Sequence, residues 1–352
     1  MNEYNIAVLP GDGIGKEIMP QAINVLKTAA EVSGAFQLNT ETYPWGAEHF
    51  LQTGEFMPSN GLDILKQFDA IYFVAAGHPD VTDFRSSWEF VFVIRKQFKQ
   101  YANVRPVKSY EGVPTLLTAP DTIDFVIVRE NSEGEYAGPG GVVHRDWSNA
   151  VAIQTDVFTR EGVERIARYS FELARERRKH VTNITKSNAI LHSMVFWDEI
   201  ITQVSRDYPD VAYDFLLVDA ASMKFVQNPG FFDVIVTTNM YGDILSDLGG
   251  AMVGSIGLSG SGNINPEGDY PSMYEPVHGS APDIAGKGIA NPTGTILSGA
   301  LMLKDLGQPQ AAIRVQQAVV DVLKSGLKTR DLGGTKSTSE MGIAICKALK
   351  PV

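Results

Sequence analysis

The sequence predicts an α/β protein of about two domains. Three observations carry that reading. Short apolar runs of strand length alternate with longer amphipathic stretches, and 352 residues exceed what one compact core usually holds. Hydrophobic residues make up 44% of the chain against 20% charged, a balance that builds folded cores rather than disorder.

Taken in order, residues 5–9 (NIAVL) read as a buried strand stopped by Pro10-Gly11-Asp12-Gly13. From about residue 16 to 32, Ile18, Ala22, Val25, Leu26 and Ala29 recur at helical spacing. Residues 70–75 (AIYFVA) form a second buried strand, followed by Gly77 and Pro79. Residues 125–128, 215–218 and 234–236 repeat the pattern. Polar or charged residues stand just past their C-terminal ends, where ligands gather in open α/β sheets. Residues 158–175 read as a helix, and the basic run through His180 as its solvated exit. The stretch 254–265 (GSIGLSGSGNIN) reads as a long loop. Asn291-Pro292 reads as an N-cap with proline at the first helical position, opening a helix through Ile296, Leu297, Ala300 and Leu301.

Composition removes several classes of function. Thirty basic against 41 acidic residues give a net charge of -11, the wrong sign for a protein that binds nucleic acid by neutralising phosphates. No apolar run approaches the roughly 18 residues of a membrane span. Cys346 is the single cysteine, which excludes disulfide scaffolds and thiolate zinc sites. Glu3 and the lack of a basic segment before an apolar stretch do not match a secretory leader, so a cytoplasmic protein is expected.

Three constellations can carry chemistry. The turn Gly11-Asp12-Gly13-Ile14-Gly15 follows a strand and opens a helix, but its glycine spacing is not the dinucleotide fingerprint, and a tight turn is the simpler reading. Asp243 and Asp247 lie four apart after the strand at 234–236 and share a helix face, where two like charges call for a cation between them. With Asp219, read as ending another strand, they form an oxygen donor set for Mg²⁺ or Mn²⁺; the alternative is an acid stabilised near a helix N-terminus. Arg95, Arg105 and Arg129 are forks that could take a dicarboxylate bidentately, although scattered arginines are commonly surface residues. Lys186 and Tyr136 are proton-transfer groups only by context. The Gly- and Pro-rich stretch 275–292 ends at a helix N-terminus, a natural neighbour for phosphate or adenine.

Together these segments resemble the β-decarboxylating dehydrogenases, the isocitrate and isopropylmalate dehydrogenase family. The resemblance rests on LPGDGIGKE, on Arg95 with Asn103-Val104-Arg105-Pro106, and on Val128-Arg129-Glu130-Asn131. It continues through Thr185-Lys186-Ser187-Asn188, Asn239-Met240-Tyr241-Gly242-Asp243-Ile244-Leu245-Ser246-Asp247 and EPVHGSAPDIAGKGIANP, and so runs nearly the length of the chain. It implies a two-domain α/β fold of that family rather than the Rossmann fold. Residues 1–100 plus 254–352 would form a large cofactor-binding domain, and residues 101–253 a small central domain that makes a homodimer. Each active site would then take Lys186 and Asp219 from one subunit and Tyr136, Asp243, Asp247 and the arginines from the other.

The resemblance also assigns roles. Arg95, Arg105 and Arg129 would hold the substrate carboxylates. Asp219, Asp243 and Asp247 would hold the divalent ion, with K⁺ a possible further cation. Lys186, through water, would take the C2 hydroxyl proton, and Tyr136 would protonate the enolate left after CO₂ departs. Glu275, His278, Gly279, Ala281, Asp283 and Asn291 would hold the adenosine half of the cofactor. Asp283 would suit a ribose 2′-hydroxyl and repel a 2′-phosphate, so NAD rather than NADP is the expected cofactor.

Substrate choice turns on residues 86–94 (SSWEFVFVI). Glu89 is expected to repel a third carboxylate, which argues against isocitrate. Val91 and Phe92 stand where isopropylmalate enzymes carry a leucine pair, and Phe92 should narrow the pocket. Trp45-Gly46-Ala47-Glu48, Phe56-Met57-Pro58, Glu133-Gly134-Glu135-Tyr136 and Phe196-Trp197-Asp198-Glu199 are similar to the tartrate/D-malate branch. The expected activity is therefore NAD-dependent oxidative decarboxylation of D-malate, or oxidation of tartrate. A 3-isopropylmalate dehydrogenase is the runner-up. A non-catalytic nucleotide-binding subunit predicts losses among Lys186, Tyr136 and the aspartates, and all are present.

Overall fold

Apolar segments of four to ten residues build the strands of this protein, whose computed structural model describes residues 1–117 and 123–349. The predicted domain ranges 101–253 and 254–352 therefore include a few residues outside the described ones. The strands are β1 (Asn2–Gly11), β2 (Phe36–Thr42), β3 (Ala70–Ala75), β4 (Ala102–Lys108), β5 (Asp124–Glu130), β6 (Gly140–Val143), β7 (Val151–Gln154), β8 (His180–Thr185), β9 (Ala212–Leu217), β10 (Val234–Thr237), β11 (Gly260–Ile264) and β12 (Ser272–Pro276). Ten of them form one sheet in the order β2-β1-β3-β12-β11-β4-β5-β10-β8-β9, and β6 pairs with β7 in a separate ribbon.

Both ends of the large sheet are parallel, and its middle, from β12 through β11 and β4 to β5, is antiparallel. Strands covered on both faces read as continuous apolar runs, and β1 shows why. Ile6 and Val8 enter a core with the helices Gly15–Ser33, Thr293–Asp305, Pro309–Lys324 and Thr338–Leu349. Ala7 and Leu9 point to the other face, into a core with Trp45, Phe56, Phe90 and Met273. Residues 101–253 supply a third core, where the helices Arg160–Arg175 and Ser193–Ser205 cover β5, β8 and β10.

The secondary structure departs from the sequence reading at residues 254–265, at Asp219 and at two helix starts. Residues 254–265 are not a long loop: they hold a short 3₁₀ turn, Ile256–Leu258, and the central strand β11. Its Gly260 has no side chain because the backbone of the helix Thr293–Asp305 lies against it. Strand β9 ends at Leu217, so Asp219 lies in the first turn of the helix Val218–Gln227 rather than at a strand end. The helix expected to begin at Pro292 begins at Thr293; Pro292 is its N-cap, and Asn291 Oδ1 accepts from Thr293 N at 3.0 Å from one position further out. The helix expected from residue 158 begins at Arg160, capped by the Thr159 hydroxyl, which accepts from Gly162 N.

Candidate active site

The middle of the sheet carries a row of polar side chains that apolar strands would not tolerate without partners. The register pairs Arg129 of β5 with Asn103 of β4, and Asn103 with Asn263 of β11, so the three stand side by side across adjacent strands. Arg105, two residues along β4 from Asn103, falls on the same face. Pro106 is tolerated in this central strand because β11 pairs only with residues 102–104 and its ladder ends before the proline.

All three arginines are almost fully buried, and each has a defined set of acceptors. Arg95, from the helix Phe92–Gln97, pairs with Glu275 of β12, whose Oε1 also accepts from Asn263 Nδ2 at 2.7 Å. Arg105 Nε donates to Asn103 at 2.6 Å, and its Nη1 to Ser246 Oγ at 2.6 Å and Asp243 Oδ1 at 3.2 Å. Arg129 Nε donates to Asn239 at 2.8 Å, and its Nη1 pairs with Asp243. Asp243 comes from the helix Asn239–Met252, which lies directly on β5. A Cβ at Gly242 would stand 2.6 Å from Arg129 Cβ, so the glycine beside Asp243 is what lets carboxylate and guanidinium meet.

These groups open into a cavity of about 420 Å³ lined by Arg95, Arg105, Arg129, Tyr136, Asp243, Glu275, His278 and Gly279. Val91, Phe92, Ser87 and Trp88 form its other wall. Burial pushes Arg129 down to about 9, with Arg105 adding like-charge repulsion, and burial also lowers Arg105. Guanidiniums that are costly to keep charged gain most from an anionic partner, so the cavity is suited to carboxylates. Burial works against the Asp243 carboxylate, but the positive field of Arg129, Arg105 and Arg95 outweighs it and holds Asp243 below its ordinary value. Tyr136 is raised by burial and by Asp243, 3.5 Å from its hydroxyl, so it carries its proton at neutral pH. Burial lowers His278, which is therefore a neutral imidazole.

Other predicted residues lie outside this cavity. Lys186 donates to Asp219 at 3.0 Å, and the two form a solvent-facing pair elsewhere on the chain that holds Asp219 below its ordinary value. Among the described residues, no three acidic, histidine or cysteine side chains stand close enough to hold a metal ion within one chain. Asp247 sits one helical turn from Asp243, raised by burial and by the neighbouring carboxylate. Ala281 and Asp283 lie further along the loop after β12, and Asn291 donates to Asp331 at 3.0 Å. This loop is seated on the first turn of the chain: Gly13, at φ +57°, leaves room for the Ser280 carbonyl, which accepts from Ile14 N at 2.9 Å.

Glu89 requires a correction. It does not line the cavity but accepts from Arg85 Nε and Nη2, at 2.6 and 2.8 Å, and this pairing holds its carboxyl below the ordinary range. A Glu89 charge paired in this way, outside the lining, gives no account of carboxylate discrimination. Trp88, which has no role in the sequence reading, takes its place on the wall. Asn131 and Asn263 are likewise unassigned there, yet they brace Arg95 and Glu275 from behind. No local signal marks either: Asn131 lies just past the end of β5, and Asn263 falls in the stretch that reads as a loop.

The profile of the isocitrate/isopropylmalate dehydrogenase family matches residues 5–345. A probable tartrate dehydrogenase/decarboxylase of Agrobacterium vitis is 49% identical over 99% of this chain and 98% of its own. A decarboxylating D-malate dehydrogenase of Escherichia coli (strain K12) is 47% identical, covering 99% of each chain. Among solved structures, an isocitrate dehydrogenase from Methylococcus capsulatus superposes with a TM-score of 0.89 at 38% identity, over 99% of this chain and 100% of that one.

Proposed function

The chain belongs to the isocitrate/isopropylmalate dehydrogenase family, and from that membership we propose that it oxidises and decarboxylates D-malate with NAD and a divalent cation, accepting tartrate as a related substrate. One observation carries the substrate class: three buried arginines face a cavity whose opposite wall is the aromatic pair Trp88 and Phe92. Two substrate carboxylates would engage the arginines from the cavity side, and the bulk of Trp88 and Phe92 on the facing wall would disfavour an alkyl group on C3. Relatives named tartrate dehydrogenase/decarboxylase and D-malate dehydrogenase support the same choice.

The residues present fit a nucleotide cofactor and a divalent cation. His278 Nε2 is buried without a partner while Nδ1 faces the Gly279 carbonyl at 3.0 Å, an unmet hydrogen bond beside the cavity that a nucleotide can satisfy. Asp243 and Asp247 present hard oxygen donors one turn apart, and their mutual repulsion is the kind a divalent cation relieves. We place Asp219 and Lys186 in the same site through a second copy of the chain, which completes the donor set that one chain lacks. The exposed apolar residues Val142, Val143, Val151 and Ile153 on the ribbon β6–β7 support such a dimer. We likewise assign residues 1–100 plus 254–352 to one domain and 101–253 to the other, a division the separate cores support.

When bound, NAD⁺ accepts a hydride and the cation lends Lewis-acid stabilisation to developing negative charge. The rest is the work of side chains. Arg95, Arg105 and Arg129 fix both carboxylates and so orient C2 and C3. Lys186, through water, takes the C2 hydroxyl proton as the C2 hydrogen leaves with the electron pair of its bond. In the single chain Lys186 Nζ donates to Asp219 Oδ1 at 3.0 Å, so the proposed base and the proposed cation ligand stand side by side. The C3–carboxyl bond then breaks, CO₂ departs, and Tyr136 delivers its proton to C3 to give pyruvate. Purified enzyme with D-malate, NAD⁺ and Mn²⁺ should yield pyruvate, CO₂ and NADH in equal amounts; NADH without CO₂ would reject the decarboxylation.

Cofactor choice rests on Asp283, which is exposed on the loop after β12. Asp283→Lys should lower the ratio of kcat/KM with NAD to that with NADP by about tenfold or more, equivalent to at least roughly 1.4 kcal/mol. An unaltered ratio would remove Asp283 from ribose recognition.

A further inference from the structure

Lys96 is a half-buried ammonium without a carboxylate partner among the described residues. Its Nζ donates to the main-chain carbonyls of Tyr136 and Ala137 at 3.3 and 3.2 Å. The Trp88 ring covers it, with Nζ 4.7 Å from the centroid. Burial lowers its proton affinity, opposed by the field of the Glu130 carboxylate, and the ammonium's direct partners are two carbonyl dipoles and a π face. The same parts form a closed circuit. Trp88 meets Phe92 edge to face at 5.4 Å, and Phe92 stacks on the Tyr136 ring at 5.9 Å. Gly138 closes it: a Cβ there would stand 3.0 Å from the Trp88 ring.

From this circuit we infer that Lys96 is a positioning residue: it clamps the backbone at Tyr136 and Ala137 and, with Trp88 and Phe92, sets where the Tyr136 hydroxyl points. The helix Phe92–Gln97 thereby serves the site twice. Arg95 anchors the substrate, and the next residue anchors the proton donor, so donor and carboxylate move as one unit. The inference rests on Tyr136 being the acid that protonates C3. A proton donor misplaced by an ångström loses on the order of 10²-fold in rate, while carboxylate binding by the three arginines is untouched.

The test isolates the C3 proton step from hydride transfer. Exchange of pyruvate methyl protons with D₂O is followed by NMR in the presence of enzyme, NAD⁺ and Mn²⁺, together with D-malate turnover. Lys96→Met should slow the exchange by roughly 10- to 100-fold with KM for D-malate within about twofold. Tyr136→Phe should slow it at least as much, and the double variant should be no worse than Tyr136→Phe, because one residue acts through the other. Lys96→Arg, which still reaches a carbonyl with a charged donor, should keep most of the exchange. If Lys96→Met does not fold, Lys96→Gln, too short to span both carbonyls, carries the same test. Normal exchange in Lys96→Met beside a slow Tyr136→Phe overturns the clamp and leaves the acid assignment standing. Additive losses in the double variant also overturn it. Normal exchange in Tyr136→Phe overturns the acid assignment and the clamp with it.

Discussion

Lys186→Met should lower kcat with D-malate by at least about 10³-fold while leaving NAD binding intact. General-base transfer supplies roughly 10²- to 10⁴-fold, and methionine fills the same volume with nothing that accepts a proton. No other described basic side chain pairs with Asp219, so the chain offers no ready substitute. The Lys186–Asp219 pair faces solvent, and its loss should leave thermal stability close to wild type. That combination separates a lost base from a lost fold. NAD affinity by fluorescence titration and kcat by NADH absorbance check it, and a kcat within tenfold of wild type would remove Lys186 from the proton path.

Asp243→Asn should damage both stability and activity. The carboxylate is the shared partner of Arg105 and Arg129, whose side chains are only 7% and 2% exposed. Removing one member of a buried pair costs about 3–5 kcal/mol, and the low end applies because Asp243 itself is 42% exposed. Activity should fall below detection, since the same carboxylate is assigned to the cation. An added dicarboxylate such as succinate should then raise the melting temperature of Asp243→Asn more than that of wild type, by supplying the anion the two arginines have lost. Equal shifts in the two proteins would show that the arginines do not face the substrate.

Much of this was legible in the residues because the informative contacts follow short-range rules. Asp243 and Asp247 lie on one helix face by spacing alone, and Arg129 follows directly on the unmistakable apolar run of its strand. Other features depend on long-range packing that no local pattern reports. Strand β11 looks like a loop because its Gly260 answers to a helix some 30 residues on and its Gly262 to the Tyr274 ring of β12. Glu89 looks like a pocket residue until Arg85, one helical turn back, takes its charge. Nothing near Lys96 in sequence announces the carbonyls of Tyr136 and Ala137 forty residues later. The pairing of Asn103, Arg129 and Asn263 needs the strand register, which the sequence leaves open.

The pocket assignment is tested most directly by comparing kcat/KM for D-malate, meso- and L-tartrate and 3-isopropylmalate, each with NAD⁺ and Mn²⁺, with and without K⁺, and with EDTA controls. The account predicts that D-malate leads, tartrate follows, and EDTA abolishes turnover. A leading kcat/KM for 3-isopropylmalate would contradict it, because Trp88 and Phe92 could not then close the wall against an alkyl group on C3.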